Sequence, residues 1–133
     1  MKVLQTILLA FLVSILAPTV SHAAPPPVTS METPRPIQVP AGTTIDAVKR
    51  AVRKAMYLKD WQISEAGPDR INGLYKKGVK YTIEIEVTYS PQSVEFKYKN
   101  SSGLNYEGGL IHRTYNERLA DLEKAMRAEL DAF

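Results

Sequence analysis

Apolar residues fall into two periods along most of this chain, and each stretch names its element. Ile45, Val48, Val52, Ala55 and Met56 recur three and four residues apart, one stripe of an amphipathic helix. Thr43-Thr44-Ile45-Asp46 opens it with a hydroxyl and an acid three residues on, the pair that caps a helix start. The helix should end near Leu58, before Asp60-Trp61. The period then drops to two. Trp61 to Glu65 reads as a short strand, Gly67-Pro68-Asp69 as a turn, and Ile71 to Lys76 as a second strand, although Asn72-Gly73 and Lys77-Gly78 each offer a turn. Val79, Tyr81, Ile83, Ile85, Val87 and Tyr89 alternate strictly with Lys80, Thr82, Glu84, Glu86 and Thr88, the pattern of a strand with one buried face and one wet face.

After the turn Ser90-Pro91-Gln92-Ser93, Val94, Phe96 and Tyr98 alternate with Glu95, Lys97 and Lys99. Pairing Tyr89 with Val94 sets Val87 against Phe96 and Ile85 against Tyr98. On the wet face it sets Glu86 against Lys97 and Glu84 against Lys99, opposite charges that favour this register. A slip of one residue would turn every aromatic to water. A second helix is predicted from Thr114, with Glu117 completing a capping box. Its buried stripe is Tyr115, Leu119, Leu122, Met126 and Leu130, and Glu123 and Arg127 stand four apart in the stabilising order. The order α-β-β-β-β-α predicts an α+β fold, a two-layer sandwich in which both helices cover one face of an antiparallel meander.

The amino-terminal third changes composition. Met1-Lys2, the apolar run Val3 to Ala17 and the small-residue ending Ser21-His22-Ala23 follow the order of a secretory signal peptide, residues 1–23. The run falls short of the roughly 20 apolar residues that span a bilayer, so no stable membrane anchor is expected after cleavage. Six of the nine prolines then fall between Ala24 and Gly42. That density predicts a disordered linker over 24–42, able to reach about 60 Å at ~3.1 Å per residue. The single folded domain is expected at 43–133, in a periplasmic or secreted monomer.

Composition narrows the chemistry. There is no cysteine, which excludes disulfides, thiol catalysis, cysteine-held metals and a lipid on cysteine. The net charge is +3, and cleavage after Ala23 would remove Lys2 from it, leaving too mild and scattered a charge for a nucleic-acid binder. His112 is the sole histidine beyond the leader, so a two-histidine metal site or relay cannot form. Ser101 or Ser102 with His112 and Glu107 could make a hydrolytic set only if the fold joined them, and no nucleophile-elbow pattern accompanies them. Glu84 and Glu86 read as surface partners of lysines rather than as a glycosidase pair. Lys76, Lys77 and Lys80 beside Tyr75 read as a solvated turn.

The segment from Asn100 to Asn116, N-S-S-G-L-N-Y-E-G-G-L-I-H-R-T-Y-N, is the best pointer to function. Three glycines allow close approach of a partner, and asparagine, tyrosine and histidine offer uncharged hydrogen bonds of the kind sugar and peptide sites use. The binding candidates are Tyr98, Ser102, Asn105, Tyr106, His112, Tyr115 and Asn116. The competing reading is a connector in which Tyr106 and Leu110 plug the core while Asn105, His112 and Asn116 tie down backbone. Lys49, Arg50, Arg53 and Lys54 on the first helix form a basic arc that could meet an anionic surface such as lipid or wall polymer.

Trp61, Ile71, the Ile/Glu-alternating strand, and then Tyr98, Ser102, Leu104, Tyr106, Ile111-His112 and Tyr115-Asn116 together resemble a family of small bacterial envelope proteins. The likeness covers roughly Trp61 to Leu130, in pattern more than in identity. It implies an envelope location and a shared structural loop without implying an enzyme. Many members of that family are exported lipoproteins, whereas this chain lacks the lipid-bearing cysteine, and Gly103 stands where the family pattern has asparagine. The expected function is a non-catalytic module that binds an envelope protein or cell-wall component, with no metal or cofactor. An alternative is a carrier of a small apolar ligand held among Tyr81, Phe96 and Tyr98. A hydrolase using His112 is a third.

Overall fold

A computed structural model describes residues 27–133. The expected signal peptide and Ala24, Pro25 and Pro26 lie outside the described residues. The chain runs β1 (Val28–Ser30), β2 (Ile37–Gln38), α1 (Ile45–Leu58), β3 (Gln62–Gly67), β4 (Arg70–Lys77), β5 (Tyr81–Tyr89), β6 (Ser93–Ser102), β7 (Leu110–His112) and α2 (Thr114–Leu130). Five strands form one sheet in the order β2-β6-β5-β4-β3, and β1 pairs with β7 in a second, two-stranded sheet. The fold is α+β with antiparallel pairing throughout. Buried side chains of both helices and of the sheet, among them Val52, Met56, Ile85, Phe96, Leu122 and Met126, belong to one core cluster.

α1 starts one residue later than its sequence signal. Thr44 is the cap, its Oγ1 accepting from the Ala47 N–H at 3.2 Å, while the Thr43 hydroxyl donates back to the Pro40 carbonyl. The helix ends where expected, with Asp60 at φ 65°, a left-handed position more often filled by glycine. The Asp60 N–H reaches the Tyr57 carbonyl and the Trp61 N–H reaches that of Met56, which closes the last turn and folds Trp61 back under the helix, 4% exposed. Opposite it, Gly73 is an interior residue of β4 rather than a turn. A Cβ there would lie 2.3 Å from Met56 Cε and 3.2 Å from Trp61 Cε3, so the missing side chain lets helix end and sheet close together.

The β5–β6 hairpin has the register read from its alternation, with Tyr89, Val87 and Ile85 opposite Val94, Phe96 and Tyr98, and Glu86 opposite Lys97. Beyond Ile85 it departs. A bulge puts Glu84 opposite Asn100 and leaves Lys99 as the extra residue, so the expected Glu84–Lys99 pairing does not form. The bulge turns Ser101 opposite Ile83 and Ser102 opposite Thr82. Val79, expected at the strand's start, sits fully exposed in the turn before Tyr81.

The proline-rich segment corrects the expectation of an unpacked linker from Pro27 onward. Ile37 is 1% exposed and pairs with Val94, and β1 lies along β7. Its prolines remove local hydrogen-bond donors, but an extended strap still borrows partners from the rest of the fold. Both short strands were too brief to show a period.

α2 carries the predicted stripe, with Tyr115, Leu119, Leu122, Met126 and Leu130 all buried, and the Glu123–Arg127 pair at 2.7 Å. Its capping box does not form. Thr114 is already helical, so its hydroxyl cannot serve the first turn. His112 Nδ1 accepts the Thr114 N–H at 3.1 Å instead.

Candidate functional site

The loop after β6 and the amino-terminal end of α2 bring two tyrosines, Tyr106 and Tyr115, against Tyr98 of β6. Tyr98 leaves the inner face of β6 and meets the Tyr106 ring at 4.6 Å between centroids and the Tyr115 ring edge-on at 5.6 Å. Tyr115 is buried, and burial pushes its phenol well above the ordinary tyrosine range, with Tyr98 and Tyr106 adding to the shift. Tyr106 is the outer member of the row, 45% exposed. The Tyr98 hydroxyl shares a hydrogen bond with Ser101 at 2.8 Å, and Ser102 shares one with Thr82 at 2.6 Å. Three residues on from Tyr115, Arg118 lies 4.9 Å over the Tyr75 ring and donates to the Tyr81 hydroxyl at 3.0 Å. That bond, above all, raises the Arg118 pKa further. Tyr75 in turn packs on Trp61 and Tyr81.

Gly103 fixes where the loop leaves the sheet. Its φ is +72°, and a Cβ there would fall 2.1 Å from the Lys80 carbonyl oxygen. The chain therefore crosses the β4–β5 turn at a distance only glycine allows. Leu104 and Ile111, at 2% and 0% exposure, plug the core end, with the His112 N–H donating to the Leu104 carbonyl. This corrects the sequence reading that gave the task to Tyr106 and Leu110. β7 begins after the Gly108-Gly109 turn, and its period of two faces Ile111 inward and Leu110 outward, 47% exposed.

Of the predicted binding residues, Tyr98, Tyr106 and Tyr115 come together, and Ser102 lies on the adjoining strand end. Asn105 is exposed with φ +52°, beside Tyr106. His112 and Asn116 serve the backbone. Asn116 accepts the Glu32 N–H at its Oδ1 and donates from Nδ2 to the Ser30 carbonyl, both at 2.9 Å. Residues 27–32, which sequence reading left out of the site altogether, are thus part of it. The catalytic alternatives find no assembled set. Ser101 and Ser102 bond to Tyr98 and Thr82, and no hydrogen bond among the described residues joins either serine to His112.

The basic arc of α1 is mostly engaged within the fold. Lys49 and Arg53 both pair with Glu65, and Lys54 pairs with Glu129 of α2 at 3.0 Å. Arg50 has no ion-pair partner among the described residues. One cavity, of about 270 Å³, lies between residues 32–35 and α2, and another, of about 180 Å³, on the outer sheet face beside Asn72, whose Oδ1 is buried without a partner. Neither is lined by Tyr81, Phe96 or Tyr98. No helix of the described residues is long and apolar enough to cross a membrane.

Compared with family models, with curated proteins and with solved structures, the chain matches none of them.

Proposed function

We propose that this chain is an exported, non-catalytic binding domain of the bacterial envelope, recognising a protein or cell-wall component through the surface around Tyr98, Ser102, Asn105 and Tyr106. The observation that carries the reading is the aromatic row. Tyr106 is nearly half exposed, yet its ring rests on Tyr98, which is braced edge-on by the buried Tyr115. An exposed aromatic held in one place loses little entropy when it meets a partner, which is how rigid aromatic anchors contribute to recognition. The engaged serines and the histidine occupied by capping favour binding over hydrolysis. In this proposal the first 23 residues direct export, no cofactor takes part, and the likeness to small envelope proteins reflects a common loop. Both helices lie on one face of the five-stranded sheet, a two-layer arrangement supported by the single core they share with it.

Amide NMR spectra of the mature chain, titrated with peptidoglycan fragments and with envelope extract, test the assignment. Shifts are expected at Tyr98, Ser102, Asn105 and Tyr106, and Tyr106→Ala should abolish them without unfolding the domain. Shifts confined to Lys49, Arg50, Arg53 and Lys54, with the loop silent, would sink it.

A further inference from the structure

Residues 27–32 lie against the site as a peptide ligand would. The Arg113 N–H donates to the Pro27 carbonyl and the Met31 N–H to the Gly109 carbonyl. With Thr29 opposite Ile111, these contacts make 27/113, 29/111 and 31/109 the hydrogen-bonded pairs of an antiparallel ladder. The Asn116 side chain holds the opposite edge of the segment, its amide taking the Glu32 N–H and the Ser30 carbonyl, which point away from β7, as a further strand would. Val28, Thr29 and Ser30 are all exposed, so β1 is held by its backbone, with Met31 the one side chain of the segment packed against the core. A segment bound by hydrogen bonds with so little buried apolar surface belongs to the low-stability end of a fold, where local opening is cheapest. Its connection to β2 passes through the largely exposed residues 32–36, including Pro34 and Pro36, and only Ile37 is firmly buried.

We propose that the edge of β7, completed by the Asn116 amide, is a docking groove for an extended segment of a partner polypeptide, and that residues 27–32 occupy it in cis until that segment replaces them. The inference rests on reading the 98–116 region as a binding surface and names the partner class and the mode of recognition, addition of a strand to an exposed edge. The groove's donors and acceptors alternate at the spacing of a peptide backbone, which a glycan does not reproduce. Because the cis segment presents every side chain but that of Met31 outward, the groove selects extended backbone more than sequence. The tethered segment competes at an effective concentration of about millimolar or above, so a free peptide binds with its affinity reduced by the closed fraction.

A removable lock tests this in the mature chain. Ser30 and Leu110 face each other in a non-hydrogen-bonded pair, where Cα atoms stand about 4.5 Å apart, within the span of a disulfide. Both are exposed, and the chain has no cysteine of its own. S30C/L110C therefore holds β1 shut when oxidised and frees it when reduced. The probe is a peptide of residues 27–33 titrated into isotope-labelled protein and followed by NMR at concentrations up to about 5 mM. Reduced protein is expected to bind it at least tenfold more tightly than oxidised protein, with shifts at Gly109, Ile111, Arg113 and the Asn116 side-chain amide.

Equal binding in both redox states, or none to the reduced form, overturns the proposal, as does a covalent dimer as the only oxidised product, which would make the occupant a second copy. The lock leaves Tyr106 untouched. Retained wall-fragment shifts at Tyr106 in the oxidised protein, without peptide binding in the reduced one, would remove this inference alone. Loss of those shifts in every form would remove the reading of the surface itself.

Discussion

Replacing Gly103 separates two costs that usually arrive together. An L-residue held at a left-handed φ loses about 1–2 kcal/mol. At Gly103 the new Cβ also meets the Lys80 carbonyl oxygen at 2.1 Å and two further backbone atoms at 3.1 Å, so no flexible side chain can yield. Overpacking of that kind costs about 1–3 kcal/mol, which brings Gly103→Ala to roughly 2–5 kcal/mol. Gly108 supplies the control, because its φ is +57° but nothing lies within 4 Å of its Cβ position. Gly108→Ala should therefore cost only the first amount. Asparagine tolerates the left-handed region better than alanine. Gly103→Asn should regain part of the conformational loss but none of the clash, leaving it well below the parent. Urea unfolding followed by the fluorescence of Trp61, buried at 4% exposure, reads all three variants, and a constant slope would show that only stability had changed. If Gly103→Asn unfolds within about 0.5 kcal/mol of the parent, or if Gly103→Ala costs no more than Gly108→Ala, the close crossing of the loop over Lys80 is wrong.

Asp60→Gly should stabilise by about 1 kcal/mol, seen as a higher urea midpoint, because glycine adopts the helix-ending conformation without the strain aspartate carries. Gly73→Ala should destabilise by about 1–3 kcal/mol, and a double-mutant cycle with Met56→Ala should recover part of that, since the contact is with a side-chain tip; strict additivity would contradict the packing. Tyr75, Tyr89 and Tyr115 have phenols raised above about 10 by burial, so the folded state disfavours their ionisation. Their contribution is intact below pH ~10, where the unfolded chain's phenols are still neutral, and is lost as pH rises from there through the folded values. Tyr115→Phe should accordingly lessen the alkaline loss of stability in melts between pH 8 and 12, and an unchanged profile would refute the assignment.

Strict period two made the β5–β6 pairing legible, and the helical stripes made both helices legible, because burial on one face leaves a mark at every second or every third and fourth residue. What escaped notice lacked such a mark. The bulge at Lys99 inserts one residue without altering the alternation before it. Cap positions moved by one because Thr43 and Thr44 are chemically alike and because a ring nitrogen of His112 could do what a hydroxyl was expected to do. Leu104 and Ile111 sit in a loop with no repeat to separate inside from outside. The site was half legible for the same reason. Its tyrosines could be picked out by type, but the partners of Asn116 lie 84 and 86 residues away, in a segment whose prolines suggested solvent.

The pairing of β1 with β7 also dates the completion of the fold. A chain grows from its amino terminus, so Val28–Ser30 emerge ahead of every other described strand, while Leu110–His112 come last among the strands. The meander β3 to β6 can assemble from neighbours, but β1 must wait until some eighty intervening residues have been made and ordered, the slowest kind of contact to close. During that wait the backbone of β1 has no mate within its own molecule. A docked β1 therefore marks a chain finished at least to its last strand, and an unfinished one displays that segment to whatever surrounds it.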